Sequence, residues 1–177
     1  MEETERCYRE TSTTSRKYLK RLTEYISELV KRGRYLEANH FFLKLCEISP
    51  HHGKTIRLGY AIAIAVFDND GVLRHDKLLT DSSPDISELL WFRLRYYQSR
   101  HEVSACEAIS GELLKNQLNG EYLSTIIEVC LERQSYVIAE PLAWYLVKNR
   151  IALSPLANNR LKQTVVIRLI ETLRGCR

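Results

Sequence analysis

Apolar residues recur every three or four positions along most of this chain. Between Ser15 and Val30 the stripe is Tyr18, Leu19, Leu22, Tyr25, Ile26, Leu29 and Val30, with charged residues between them. It ends at Lys31-Arg32-Gly33. Basic side chains suit the negative end of a helix dipole, and Gly takes a left-handed cap without strain. A second helix is predicted over 34–48, burying Tyr35, Ala38, Phe41, Phe42, Leu45 and Cys46, with Pro50 as its stop. A third, over 54–67, is apolar on several faces through Ile56, Leu58, Tyr60, Ile62, Ile64 and Val66. That alternation also fits a strand, but Ala61, Ala63 and Ala65, with no turn signal nearby, favour a buried helix. The periodicity then predicts helices over 86–99, 101–117, 120–133, 135–149 and 155–174, with breaks at Ser99-Arg100, Asn119-Gly120 and Ser154-Pro155. Pro141 falls inside the 135–149 pattern. It either belongs to the first turn of a shorter helix or kinks a longer one.

Two stretches lack this periodicity. Residues 1–14 are polar and rich in Thr and Ser, which predicts a flexible N-terminal segment. Residues 68–85 open on the turn signal Asp68-Asn69-Asp70-Gly71 and are the most irregular part of the chain. The organisation expected is therefore a flexible 1–14 followed by a single helical-repeat domain over 15–177. With only 7 Gly and 4 Pro among 177 residues, a turn-rich β protein is excluded. The fold class is all-α: seven to eight helices in stacked antiparallel hairpins, an α-solenoid.

The segment from Gly33 to Pro50 reads G-x-Y-x-x-A-x-x-x-F-x-x-L-x-x-x-x-P. Gly33 lets the chain reverse, Ala38 is small where two helices cross, Phe42 and Leu45 fill the space between hairpins, and Pro50 ends the helix. At these spacings the segment resembles the turn and second helix of a tetratricopeptide repeat. Leu58-Gly59 sits where the next first helix carries its Leu-Gly pair, one position off a strict 34-residue period. Later copies are weaker: Ala105 with Ile109, and Tyr136 with Ala139 and Ala143, keep only the small-residue crossing. Residues 33–61, including Leu45-Cys46 and Leu58-Gly59, also resemble the first repeats of the translocator chaperones of bacterial type III secretion. That resemblance implies three repeats behind an N-terminal helix, a homodimer formed through it, and an extended segment of a secreted client held in a concave groove. It is lost after Phe67.

Catalytic and metal motifs fail on their partners. Phe67-Asp68-Asn69-Asp70-Gly71 looks like the first motif of haloacid-dehalogenase-type phosphatases, but no Asp follows Asp85 to complete a Mg²⁺ site. The same residues fail as an EF-hand, because Val66 and Lys77 would stand where oxygen ligands are needed. His40, His51, His52, His75 and His101 form no zinc spacing and are expected on the surface or in loops. No cofactor and no enzyme activity are expected. Five widely spaced cysteines without a C-x-x-C point to a reducing compartment. A polar N-terminus and the lack of a long apolar run then predict a cytoplasmic protein with no membrane insertion.

The net charge is +4, yet from Arg150 onward six Lys or Arg (Arg150, Arg160, Lys162, Arg168, Arg174, Arg177) face one acid, Glu171. A basic C-terminal helix of this kind offers a nucleic-acid surface, although no aromatic residues interleave with the basic ones for base stacking. The leading expectation is instead a protein- or peptide-binding module, as a secretion chaperone or as a general adaptor subunit of a larger complex. Its groove residues are expected to be Tyr25, Leu29, Ile56, Tyr60, Ala63 and Tyr96, on the first helices of successive hairpins, where tyrosine combines apolar contact with a hydroxyl.

Overall fold

A computed structural model describes residues 2–15, 17–82 and 85–164. Every regular element among them is α-helical: α1 (Glu2–Arg9), α2 (Tyr18–Lys31), α3 (Tyr35–Ile48), α4 (Gly53–Ala65), α5 (Asn69–Asp81), α6 (Ile86–Ser99), α7 (Val103–Leu113), α8 (Gly120–Arg133), α9 (Tyr136–Lys148), and α10, described over 155–164. These are ten helices among the described residues, against the seven or eight expected. The basic residues Arg168, Arg174 and Arg177, together with the end of the helix predicted over 155–174, lie outside the described residues. The chain divides into two compact units, Met1–Asp85 and Ile86–Arg177.

Each unit holds two helix-turn-helix hairpins, and all four reverse in the same way. One residue just past the first helix adopts a left-handed conformation: Gly33 (φ 71°), Phe67 (φ 59°), His101 (φ 60°) and Gln134 (φ 50°). The next residue's N–H then bonds back to a carbonyl of the helix just ended: Arg34 to Leu29, Asp68 to Ala63, Glu102 to Tyr97 and Ser135 to Cys130, at 2.9–3.3 Å. This closes the orphan carbonyls of the first helix and aims the chain into the second. The four positions are spaced by 34, 34 and 33 residues. Five residues after each lies a buried small or medium side chain: Ala38, Val72, Cys106 or Ala139. Twelve after each lies a buried leucine: Leu45, Leu79, Leu113 or Leu146. In the third hairpin the crossing position is thus Cys106, one residue beyond the Ala105 that the sequence suggests.

In the first unit, Leu22, Tyr25, Ile26 and Leu29 of α2 pack on Ala38, Phe42 and Leu45 of α3 and Ile62 of α4. The second hairpin closes on Gly59 of α4, because a Cβ there would overlap the His75 ring of α5 and the Phe42 ring of α3. Tyr60 adds a bond from its hydroxyl to Asp76 of α5 at 2.7 Å. The N-terminal segment expected to be flexible is helical because Tyr8 has somewhere to go. Its ring stacks on Tyr25 at 5.2 Å and meets Phe41 edge-on at 5.6 Å. The 68–85 segment, expected to be irregular, is mostly α5. Asp68 is its N-cap, with Oδ1 accepting from the Gly71 N–H at 2.9 Å, so the turn signal marks a helix start.

In the second unit, Leu94, Cys106, Leu113, Ile126, Val129, Cys130, Ile138 and Leu142 form one core, which Leu161 of α10 joins. Trp91 donates its indole N–H to Thr125 at 2.9 Å, a buried bond that links α6 to α8. The two hairpin turns are also cross-tied: Gln98 donates to Glu132 at 3.1 Å, and Ser135 donates to Glu107 at 2.6 Å. Pro141 neither shortens α9 nor sits in its first turn. It lies within an unbroken Tyr136–Lys148 helix. The ring lacks the N–H that would reach the Val137 carbonyl, so the helix forgoes that one bond.

His75, expected on the surface or in a loop, is buried on α5 with Nδ1 lacking a hydrogen-bond partner. Burial, aided by the neighbouring Arg74 charge and opposed by Asp68, pushes its pKa down from 6.5 to about 4. The neutral ring is the folded form, so its contribution is complete above pH 6.5 and is lost as pH falls toward 4. Acid should remove up to about 3 kcal/mol through this residue. Urea unfolding between pH 7 and pH 5 should show the decline, and His75→Leu should flatten it. A second expectation concerns the turns. Gln134→Gly relieves a left-handed side chain and should stabilise the protein by about 0.5–1 kcal/mol, whereas Gly33→Ala should cost about 1 kcal/mol. Denaturant midpoints of the two variants check both signs.

Candidate functional site

The hydrophobic stripe of each first helix is consumed inside its hairpin. Tyr25, Leu29, Ile56, Tyr60 and Ala63 are buried, none more than 4% exposed, and they form the interior of the first unit. Side chains so covered present no surface to a peptide, which corrects their assignment to an open groove. Tyr25 spends its hydroxyl on Glu37 at 3.3 Å, and burial together with the charges of Glu5 and Glu37 raises its pKa. Tyr96 is half-buried on α6, beside the ring of Tyr97 at 5.2 Å, and belongs to the second unit. The five first-unit residues are therefore core rather than surface.

The open face of the same helices lies roughly a quarter-turn or more around. A cleft of about 880 Å³ runs between α1, α2 and α4 of the first unit. From α2 it takes Lys20, Thr23, Ser27 and Lys31, a polar stripe at helical spacing that mirrors the apolar one. From α4 it takes Lys54, Arg57 and Leu58, and α1 supplies a wall through Glu3, Thr4 and Cys7. His52 stands at the α4 end, where its Nδ1 accepts from the Lys54 N–H at 3.3 Å. Sequence reasoning missed these side chains because it followed apolar periodicity. The signal that finds them is the complementary polar stripe.

Electrostatically the cleft is mixed with a cationic excess: five Lys or Arg against three Glu. Glu24 is shared by Arg21 at 3.0 Å and Lys20 at 3.8 Å. Glu28 is held by Arg32 at 2.7 Å, and that hydrogen bond keeps its carboxyl below the usual range. The hydroxyls of Thr23 and Ser27 donate to the carbonyls of Leu19 and Thr23, leaving their lone pairs open to a ligand. Such a lining can hydrogen-bond a polypeptide and attract acidic groups. No cluster of three His, Cys, Asp or Glu side chains able to hold a metal occurs among the described residues. Asp68, the residue that looks like a phosphatase nucleophile, is engaged as the α5 cap. No helix among the described residues is long and apolar enough to cross a membrane.

The cleft's outer wall hangs on Tyr8. Tyr8→Ala should leave α2–α5 folded but release α1, seen as faster amide exchange over residues 2–9 and unchanged exchange at α4. Equal protection of α1 in wild type and variant would show that some other contact holds it.

Comparison of the chain with family models, with curated proteins and with solved structures gives no match to any of them.

Proposed function

We propose that this chain is a non-enzymatic helical-repeat protein of tetratricopeptide type, which binds an extended segment of a partner protein along α2 and α4. The observation that carries the reading is the recurrence of one left-handed reversal at 33, 67, 101 and 134, each followed by a buried leucine twelve residues on. A recurring hairpin of that length is the unit from which concave binding surfaces of stacked repeats are built. The cleft supports the same reading, because it lies along the first helices of both hairpins in its unit, the side that faces inward in such arrays.

The partner class follows from the lining. Hydroxyls and a cationic excess favour a polar, net acidic stretch of chain over a hydrophobic helix. The resemblance of residues 33–61 to translocator chaperones directs the choice of client toward a protein destined for type III export, held in the cytoplasm until secretion.

Affinity capture from the native host tests this. Wild-type protein should retain a defined partner, and a Lys20→Glu, Lys54→Glu double variant should lose most of it while melting at an unchanged temperature. Capture of the same proteins by both forms would remove the cleft from the reading. A partner with no route of export would favour a general adaptor over a secretion chaperone.

A further inference from the structure

The second unit carries a different surface, independent of the α2–α4 cleft and of the reading built on it. Trp91 of this unit is buried with its N–H bonded. Trp144, by contrast, is 70% exposed on α9, and Val137 and Val147 flank it on the same helical face. Exposing a tryptophan and two valines along one stripe leaves apolar area in water with no structural return inside the hairpin, which packs through Ile138, Ala139, Leu142 and Leu146 on the opposite side. The stripe also borders a depression. Between the C-terminal end of α7 and α9 lies a cleft of about 870 Å³, with Leu114, Pro141, Trp144 and Val147 as its apolar walls. Its floor is fixed, because Tyr145 accepts a hydrogen bond from the Leu118 N–H at 2.9 Å.

Lys115 and Lys148 stand in its lining with Asn116, Gln117 and Asn149, and the lining itself contains neither Asp nor Glu. Lys115 is paired with Glu112 just outside the lining at 2.5 Å, an exposed ion pair worth little that a ligand carboxylate can replace. A two-fold pairing of identical copies through this patch would bring those lysines toward each other, which disfavours a second copy as occupant. A concave site walled by tryptophan accepts an inserted side chain better than it accepts a flat lipid surface. We infer that the α7–α9 cleft docks a short acidic segment of another protein. One aromatic or aliphatic anchor of that segment sits against Trp144 and Val147, and its carboxylates face Lys115 and Lys148. Tryptophan is the residue type most enriched among binding hot spots, and pairing an apolar anchor with complementary rim charge sets both affinity and orientation.

The test uses the full chain and fluorescein-labelled synthetic peptides read by anisotropy. One peptide carries Leu and Phe on one helical face with Glu between them. A second replaces every Glu by Lys, and a third replaces Leu and Phe by Ala. The acidic amphipathic peptide should bind, and the other two should bind at least ten-fold more weakly. Trp144→Ser should weaken the first peptide by roughly ten-fold or more, as expected for loss of an aromatic hot spot. Lys148→Glu should weaken it less, in proportion to salt sensitivity. Because Trp144 is exposed, thermal melting of Trp144→Ser should match wild type. Binding unaffected by Trp144→Ser, equal binding of the Lys peptide, or no binding of the acidic peptide would each overturn the proposal. So would a Trp144-dependent dimer in sedimentation, or Trp144-dependent pelleting with phosphatidylserine vesicles, when either occurs without peptide binding.

Discussion

The reversal at the end of each first helix is the constraint on which the rest depends. A helix leaves its last carbonyls without partners, and a chain that turns at once must satisfy them within two or three residues. A single left-handed residue and one bond running back five positions achieve this at Gly33, Phe67, His101 and Gln134. The geometry dictates where the second helix starts, hence which of its side chains face the first. Buried Ala38, Val72, Cys106 and Ala139, and the leucines seven residues further on, follow from that direction. Only one of the four turns uses glycine; the others hold a side chain in a conformation that costs about 1–2 kcal/mol. That such residues persist shows how strongly the flanking helices over-determine the turn.

The same turns explain what was legible in the sequence. At Gly33 the glycine, the small Ala38 and the stop at Pro50 coincide, so the first hairpin reads clearly. At Phe67, His101 and Gln134 the turn residue carries no turn chemistry, and the crossing residue is Val or Cys in two of the three. Composition hides a regularity that the backbone preserves. Helices α1 and α5 were hidden for a related reason. A short polar helix gains little from propensity alone. The Tyr8 stack that holds α1 is tertiary and leaves no periodic trace, whereas α5 buries Val72, His75 and Leu79 at helical spacing behind the turn signal of residues 68–71.

Following the strongest signal places the expected groove residues in the core. Apolar periodicity identifies what a helix buries, so Tyr25, Leu29, Ile56, Tyr60 and Ala63 are core. What remains open on α2 and α4 is the weaker polar stripe, which reads as ordinary solvated surface until the neighbouring helices give it walls. Trp144 shows the converse. Its helix is apolar on two sides, and only the packing of Ile138 and Leu142 into the core reveals which side is surplus.

Stacked repeats commonly lose structure one unit at a time, because each touches only its neighbours. Gly59 removes that freedom within the first unit. Its missing Cβ lets one ring from α3 and one from α5 occupy the same space against α4, so the two hairpins share a joint rather than an interface. Neither can open without exposing the other's ring. The two hairpins α2–α3 and α4–α5 should therefore unfold together as one cooperative block.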